Sequence, residues 1–184
     1  IGYYEQYIRE GIGCPGPLEM YVTEHGTSNT LYGENHQKSE IAQAVFDLRS
    51  YLVMKGEEFG QKNYKYCFAD SGARENTPEH KYGLVRHEGY RVPYAAKIGY
   101  LVTSALNNFL KDTTGAKYVF SSDFHNILKF EGGSGSVYAL WTTNKNNGSV
   151  EYDFGEDMTF YDIYGNELEA SEIMDSSGRY KLTN

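Results

Sequence analysis

Two carboxylates stand where a backbone can hold a reactive group rigidly while leaving it open to a ligand. The apolar, strand-forming run Leu18-Glu19-Met20-Tyr21-Val22-Thr23 stops at Glu24-His25-Gly26. The run Tyr64-Lys65-Tyr66-Cys67-Phe68-Ala69 stops at Asp70-Ser71-Gly72. A carboxylate at a strand end can act as a nucleophile, as a general acid or base, or as an acceptor for a substrate hydroxyl. Acidic residues also open loops and cap helices for purely structural reasons, so position alone leaves both roles open. The other chemically capable side chains are dispersed. His36, His80, His87 and His125 show no His-x-x-x-His spacing. Zinc needs three or four converging ligands, so neither a metal nor any other cofactor is expected. Cys14 and Cys67 allow at most one disulfide, and Cys67, inside an apolar run, reads as a buried free thiol. Asn147-Gly148-Ser149 matches a glycosylation pattern, but Asn-Gly is better explained as turn chemistry.

These candidates need elements to position them. Residues 3–11 read as the tail of a helix closing at Gly11, and Cys14-Pro15-Gly16-Pro17 forbids regular structure. After the first strand, residues 26–35 form a polar loop. Residues 36–55 have helical periodicity, with Ile41, Val45, Leu48 and Leu52 as the apolar stripe, widened by Ala42, Phe46 and Val53. Gly56 is placed to end that helix. The second strand follows at 64–69, then a polar loop, then a short extended piece at Tyr82–Arg86. Pro93 suits the first turn of another helix, whose apolar face is Tyr94, Ile98, Leu101, Ala105 and Phe109, with Val102 and Leu106 beside it. The two strands are expected to be parallel, each followed by a helix.

After about Lys111 the period changes to alternation. Val150, Tyr152 and Phe154 alternate with Glu151 and Asp153, and Val137, Ala139 and Trp141 share one face of another strand. Asn146-Asn147-Gly148 and Tyr164-Gly165-Asn166 are hairpin signals, and Gly132-Gly133-Ser134-Gly135-Ser136 is a flexible turn. The chain therefore divides into a β/α part, residues 1–112, and an all-β part, residues 113–184, expected to form an antiparallel sandwich with Val150, Tyr152, Phe154 and Trp141 in its core.

Composition narrows the functions. The 184 residues carry 17 Lys+Arg against 25 Asp+Glu, a formal net charge of -8. That balance offers no electrostatic footprint for nucleic acid or an anionic membrane. No apolar window is long enough to span a bilayer. A complete eight-fold β/α barrel needs roughly 250 residues. The opening Ile1-Gly2-Tyr3-Tyr4 has no Met and no leader pattern, and the chain reads as a piece of a longer protein.

Met20-Tyr21-Val22-Thr23-Glu24-His25-Gly26-Thr27-Ser28 resembles the seventh strand of clan A glycoside hydrolases, where an apolar strand delivers Thr-Glu and the Glu is the catalytic nucleophile. The surroundings resemble that clan in the same order. A helix tail and a Pro-containing link precede the motif. A long helix and Tyr66-Cys67-Phe68-Ala69-Asp70, like the eighth strand, follow it. Tyr82-Gly83-Leu84-Val85 and Arg91-Val92-Pro93-Tyr94-Ala95-Ala96 resemble the passage that opens the eighth helix. The Trp141 strand and Phe160-Tyr161-Asp162-Ile163-Tyr164-Gly165-Asn166 look like the small β-sandwich appended in several families of the clan.

The resemblance implies an α/β plus all-β fold, the C-terminal part of a (β/α)8 barrel (about strands 7 and 8 with their helices) followed by the sandwich. It also implies retaining hydrolysis of a glycosidic bond in an oligo- or polysaccharide, with Glu24 as nucleophile and His25, Tyr32 and Asp70 contacting substrate. Tyr32 lies in the loop after Glu24. The acid/base of the clan lies on the fourth strand and maps to nothing here, so the isolated chain is expected to be inactive. The implied partners are a carbohydrate and the missing N-terminal barrel portion, and the analogy favours a secreted or periplasmic location. Asp70 occupies the place where many clan members carry Trp, a departure that leaves the sugar-stacking platform open. Two other readings remain at this point: a non-catalytic carbohydrate-binding or assembly subunit that uses the sandwich, and an unrelated α/β domain with a coincidental Thr-Glu-His-Gly.

Overall fold

A computed structural model describes residues 10–11, 13, 21–29, 40–57, 62–143, 148–155 and 157–182. The expected helix tail at 3–11, the Pro-containing link, Tyr32 and the Asn146-Asn147 turn lie wholly or mostly outside the described residues. The fold is a mixed α/β arrangement with few helices and several small sheets. The chain separates into two compact units, 1–100 and 101–184.

In the first unit, strand β1 (Tyr21–His25) and strand β2 (Lys62–Lys65) are hydrogen-bonded neighbours and run parallel, as expected. Parallel neighbours require a crossover of a dozen or more residues, and helix α1 (Glu40–Gly56) lies within that crossover. Glu40 in its first turn and Lys55 in its last complement the helix dipole. The register runs Tyr21↔Lys62, Val22↔Asn63, then breaks before His25↔Lys65. Tyr66 N–H still donates to the His25 carbonyl at 2.9 Å. The ladder ends there, four residues short of the expected strand end. The Tyr66–Cys67 peptide is cis. Beyond it, Leu84 N–H and Val85 N–H donate to the Phe68 carbonyl, and an isolated parallel bridge joins Ala69 to Val85, which in turn bridges Ala96 antiparallel.

The first helix buries a face other than the one its apolar periodicity predicts. In α1 the buried residues are Gln43, Ala44, Asp47 and Leu52, while Ile41, Phe46 and Val53 are 45%, 47% and 41% exposed. Of the expected stripe only Leu52 is fully buried. Gln43 and Asp47, one turn apart, face inward to polar partners: the Gln43 amide meets two backbone carbonyls, and Asp47 Oδ2 lies 3.4 Å from the Lys65 ammonium. Helix α2 (Ile98–Leu110) starts five residues after Pro93, not at it. Tyr94, at φ 54°, is in the left-handed region and cannot join a right-handed helix. Its ring is exposed, as is Leu101, whereas Val102 is buried. The first helical N–H, of Ile98, donates to Glu40 Oε2 at 3.4 Å, and Glu40 Oε1 also pairs with Arg86. The division between the two units falls inside α2.

The second unit is built on an antiparallel meander of β3 (Thr113–Ser121), β4 (His125–Gly132) and β5 (Gly135–Thr142). Gly133-Ser134 forms the tight turn between β4 and β5. Strand β6 (Gly148–Val150) pairs with β9 (Tyr180–Leu182), and β7 (Phe160–Tyr161) with β8 (Glu167–Leu168). The Tyr164-Gly165-Asn166 hairpin signal is the β7–β8 turn. The Asp162 carboxylate accepts there from the N–H groups of Tyr164 and Asn166, at 2.8 and 3.0 Å. One helical turn, α3 (Ala170–Ile173), interrupts the all-β pattern and is capped reciprocally by Glu169 and Glu172.

Ile127, Val150 and Leu182 form a buried cluster against which Val119, Phe120, Tyr138, Leu140, Tyr152, Phe154 and Tyr180 pack. Phe154 sits with its ring centroid 4.9 Å from those of both Tyr138 and Tyr152. The alternation of Val150, Tyr152 and Phe154 therefore reports burial correctly, although the β-ladder stops at Val150. Trp141 is buried too, but on the other side of the sheet. It pairs with Asn126 while its neighbour Leu140 pairs with Ile127, and a shift of one residue reverses the face. Trp141 stacks with Tyr118 at 6.2 Å, on the side of Leu128 and Phe130.

Candidate active site

Glu24 is the fourth residue of β1 and its side chain is exposed. Among the described residues no hydrogen bond or ion pair engages its carboxylate. Its surroundings come from the ends of both strands. The Tyr66 phenol is held above its ordinary pKa, first by Cys67, then by burial and by the negative charges of Glu79 and Glu24. The Tyr66 ring meets that of Tyr82 edge-on at 5.5 Å. His25 is half-buried, and its Nδ1 has no hydrogen-bond partner among the described residues. Burial and the nearby Lys65 ammonium pull its pKa down, so the imidazole is neutral at pH 7.

The segment after Glu24 is clamped from below. Gly26 lies against the Tyr66 backbone, where a Cβ would come within 2.6 Å of the carbonyl oxygen, so only glycine fits without displacing it. The Thr27 carbonyl accepts from Gln43 Nε2 at 2.7 Å, and the same amide donates to the Lys81 carbonyl at 2.9 Å. Asn29 N–H donates to that Lys81 carbonyl at 3.3 Å. Lys65 Nζ donates to the carbonyls of Tyr66 and, at 2.7 Å, Tyr82. It also lies 3.4 Å from Asp47 Oδ2. Burial pushes the Asp47 carboxyl up to about 6, against the opposing pull of Lys65, the Thr27 backbone and Lys97.

Asp70 is buried, 3% exposed, and its Oδ2 has no hydrogen-bond partner among the described residues. Its Oδ1 accepts from Gly83 N–H at 2.8 Å and from Lys97 Nζ at 3.0 Å. A Cβ on Gly83 would collide with the Asp70 backbone, so glycine permits this approach. Lys97 is 1% exposed. Its ammonium also donates to Asn29 Oδ1 at 2.9 Å and to the Lys81 carbonyl at 3.2 Å. Burial lowers its pKa, and Asp70 opposes that shift. Cys67 is a free, half-buried thiol whose Sγ lies 3.0 Å from the Ala69 carbonyl. Of the expected site residues, Glu24 and His25 stand together at the end of β1, Asp70 lies beneath as part of a buried ion pair, and Tyr32 is outside the described residues. Sequence reasoning passed over Gln43, Asp47, Lys65 and Lys97. A signal was present for two of them: Gln43 and Asp47 are polar, one turn apart, on an otherwise apolar helix. Among the described residues no cluster of three His, Cys, Asp or Glu could hold a metal ion, and no helix is long and apolar enough to cross a membrane.

No family model matches the chain, and no curated protein matches it. Among solved structures it is similar to one described as a family 39 glycoside hydrolase from the gut symbiont Bacteroides cellulosilyticus WH2. The TM-score is 0.76 at 21% sequence identity, over 98% of this chain and 35% of that one. The chain thus spans about a third of the length of that structure, and shares with it a glycoside hydrolase-like fold.

Proposed function

We propose that this chain is the C-terminal portion of a retaining glycoside hydrolase, supplying Glu24 as nucleophile to a barrel completed by other strands, with residues 113–184 as an appended β-sandwich. The observation that carries the reading is the parallel pair β1 and β2 presenting Glu24 at a strand end, in a fold similar along nearly its whole length to part of a glycoside hydrolase. In this reading the Glu24 carboxylate attacks the anomeric carbon and forms a glycosyl ester as the bond to the leaving oxygen breaks. An acid about 5–5.5 Å away gives that oxygen its proton. The same group, now a base, takes a proton from water, which attacks the anomeric carbon and releases Glu24. The acid/base comes from outside this chain.

His25, neutral and adjacent, and Tyr32, in the following loop, contact the sugar. Asp70 supports the site through Lys97 and does not touch substrate. The exposed Ile41, Phe46 and Val53 of α1 favour the missing N-terminal barrel portion as the partner, since a partial barrel leaves apolar faces to be covered. The test is Glu24→Ala in the full-length protein. Turnover of activated aryl glycosides should fall by several orders of magnitude while substrate binding survives, and azide should restore part of it. Unchanged turnover would overturn Glu24 as the nucleophile, and a full-length parent that turns over no glycoside while binding carbohydrate would leave a carbohydrate-binding or assembly role.

A further inference from the structure

The Glu24 carboxylate is exposed and takes no hydrogen bond among the described residues, so its direction depends on the backbone on either side of it. Before it, the β1–β2 ladder fixes the chain. After it, three contacts do so in sequence: Gly26 against the Tyr66 carbonyl, Thr27 O on the buried Gln43 amide, and Asn29 on Lys97. We propose that Lys97 is a positioning residue for Glu24, acting through the side chain of Asn29. This rests on the reading of Glu24 as a nucleophile.

An ammonium has three N–H donors, and this one meets three acceptors: Asp70 Oδ1 at 3.0 Å, Asn29 Oδ1 at 2.9 Å and the Lys81 carbonyl at 3.2 Å. Lys97 and Asp70 are each 1% exposed at the side chain. A lysine buried this deeply costs folding energy unless it is paired and fully hydrogen-bonded. A well-packed apolar residue at 97 would fill the core as well or better, so the charge is better explained by what it holds. It holds three stretches distant in sequence: the loop five residues beyond Glu24, Asp70 five residues beyond the end of β2, and the Lys81 segment, to which Gln43 is also tied. Asn29 is the member through which the ammonium reaches the Glu24 loop, and it can be changed without unpairing Lys97 from Asp70.

The experiment measures kcat and KM of the full-length protein on the p-nitrophenyl glycoside it turns over fastest, for Asn29→Ala, Asn29→Asp and Glu24→Ala. Asn29→Ala should lower kcat about 10–100-fold, the cost of a displacement near 1 Å at a reacting group, with KM and the unfolding midpoint close to the parent's. Asn29→Asp, whose carboxylate accepts the same N–H, should return kcat to within about fivefold of the parent. Parent-level kcat in Asn29→Ala, or a loss that follows the unfolding midpoint and is not recovered in Asn29→Asp, overturns the positioning role alone. Activity surviving in Glu24→Ala overturns the nucleophile reading and this inference with it.

Discussion

Asp47 shows what burial does to a carboxyl even when a cation is near. Its side chain is 7% exposed beside Lys65, and desolvation still outweighs Lys65, pushing the carboxyl from 3.8 to about 6. The folded state then binds a proton more tightly than the unfolded chain between those values, so this group's contribution to stability falls as pH rises from about 4 to 6 and is level above that. The full span corresponds to on the order of 3 kcal/mol. Asp47→Asn removes the titration while Lys65 keeps the carbonyls of Tyr66 and Tyr82 as acceptors. Denaturant unfolding of parent and variant at matched pH should show the variant gaining on the parent as pH climbs from 4 to 6. A difference that does not vary with pH, or that runs the other way, contradicts the assignment. The placement of Glu24 and His25 at the end of β1 was legible because a strand run stopping at a carboxylate is a local pattern. The burial of Asp70 was not, because Lys97, 27 residues further on, decides it.

At the scale of the element, α1 shows where periodicity misleads. Its apolar count favoured Ile41, Val45, Leu48 and Leu52, yet Gln43 and Asp47 lie inside. The amide of Gln43 binds two carbonyls from distant segments, and leaving such groups unpaired costs more than exposing an isoleucine does. In the 184-residue chain alone, Gln43→Ala should therefore destabilise the fold by about 2–3 kcal/mol, and Ile41→Ala by no more than about 0.5 kcal/mol, read from chemical denaturation. The opposite order would restore the apolar stripe as the buried face. Alternation served better in the second unit, because strand period is local and one face is filled. Ile127, fully buried between Val150 and Leu182, should cost about 2–5 kcal/mol as Ile127→Ala. The side of the sheet taken by Trp141 was not legible, because it depends on the register of β4 against β5.

For the whole molecule, the parallel pairing of β1 and β2 was legible from two strand runs separated by a helical one. What completes the sheet was not, since those contacts lie between distant parts of a fold of which this chain spans only a portion of its structural neighbour. On the proposed reading the second carboxylate lies outside these 184 residues. The chain alone should then give no measurable turnover of aryl glycosides, and turnover equal to the full-length protein's would show that the site is complete without a partner. On the proposed reading Glu24 becomes covalently glycosylated during turnover. Incubating the full-length protein with a 2-deoxy-2-fluoro glycosyl fluoride that inactivates it, followed by peptide mass analysis, tests this directly. The account predicts one added fluoro-sugar, on Glu24. A label on Asp70 or on any other carboxylate contradicts it.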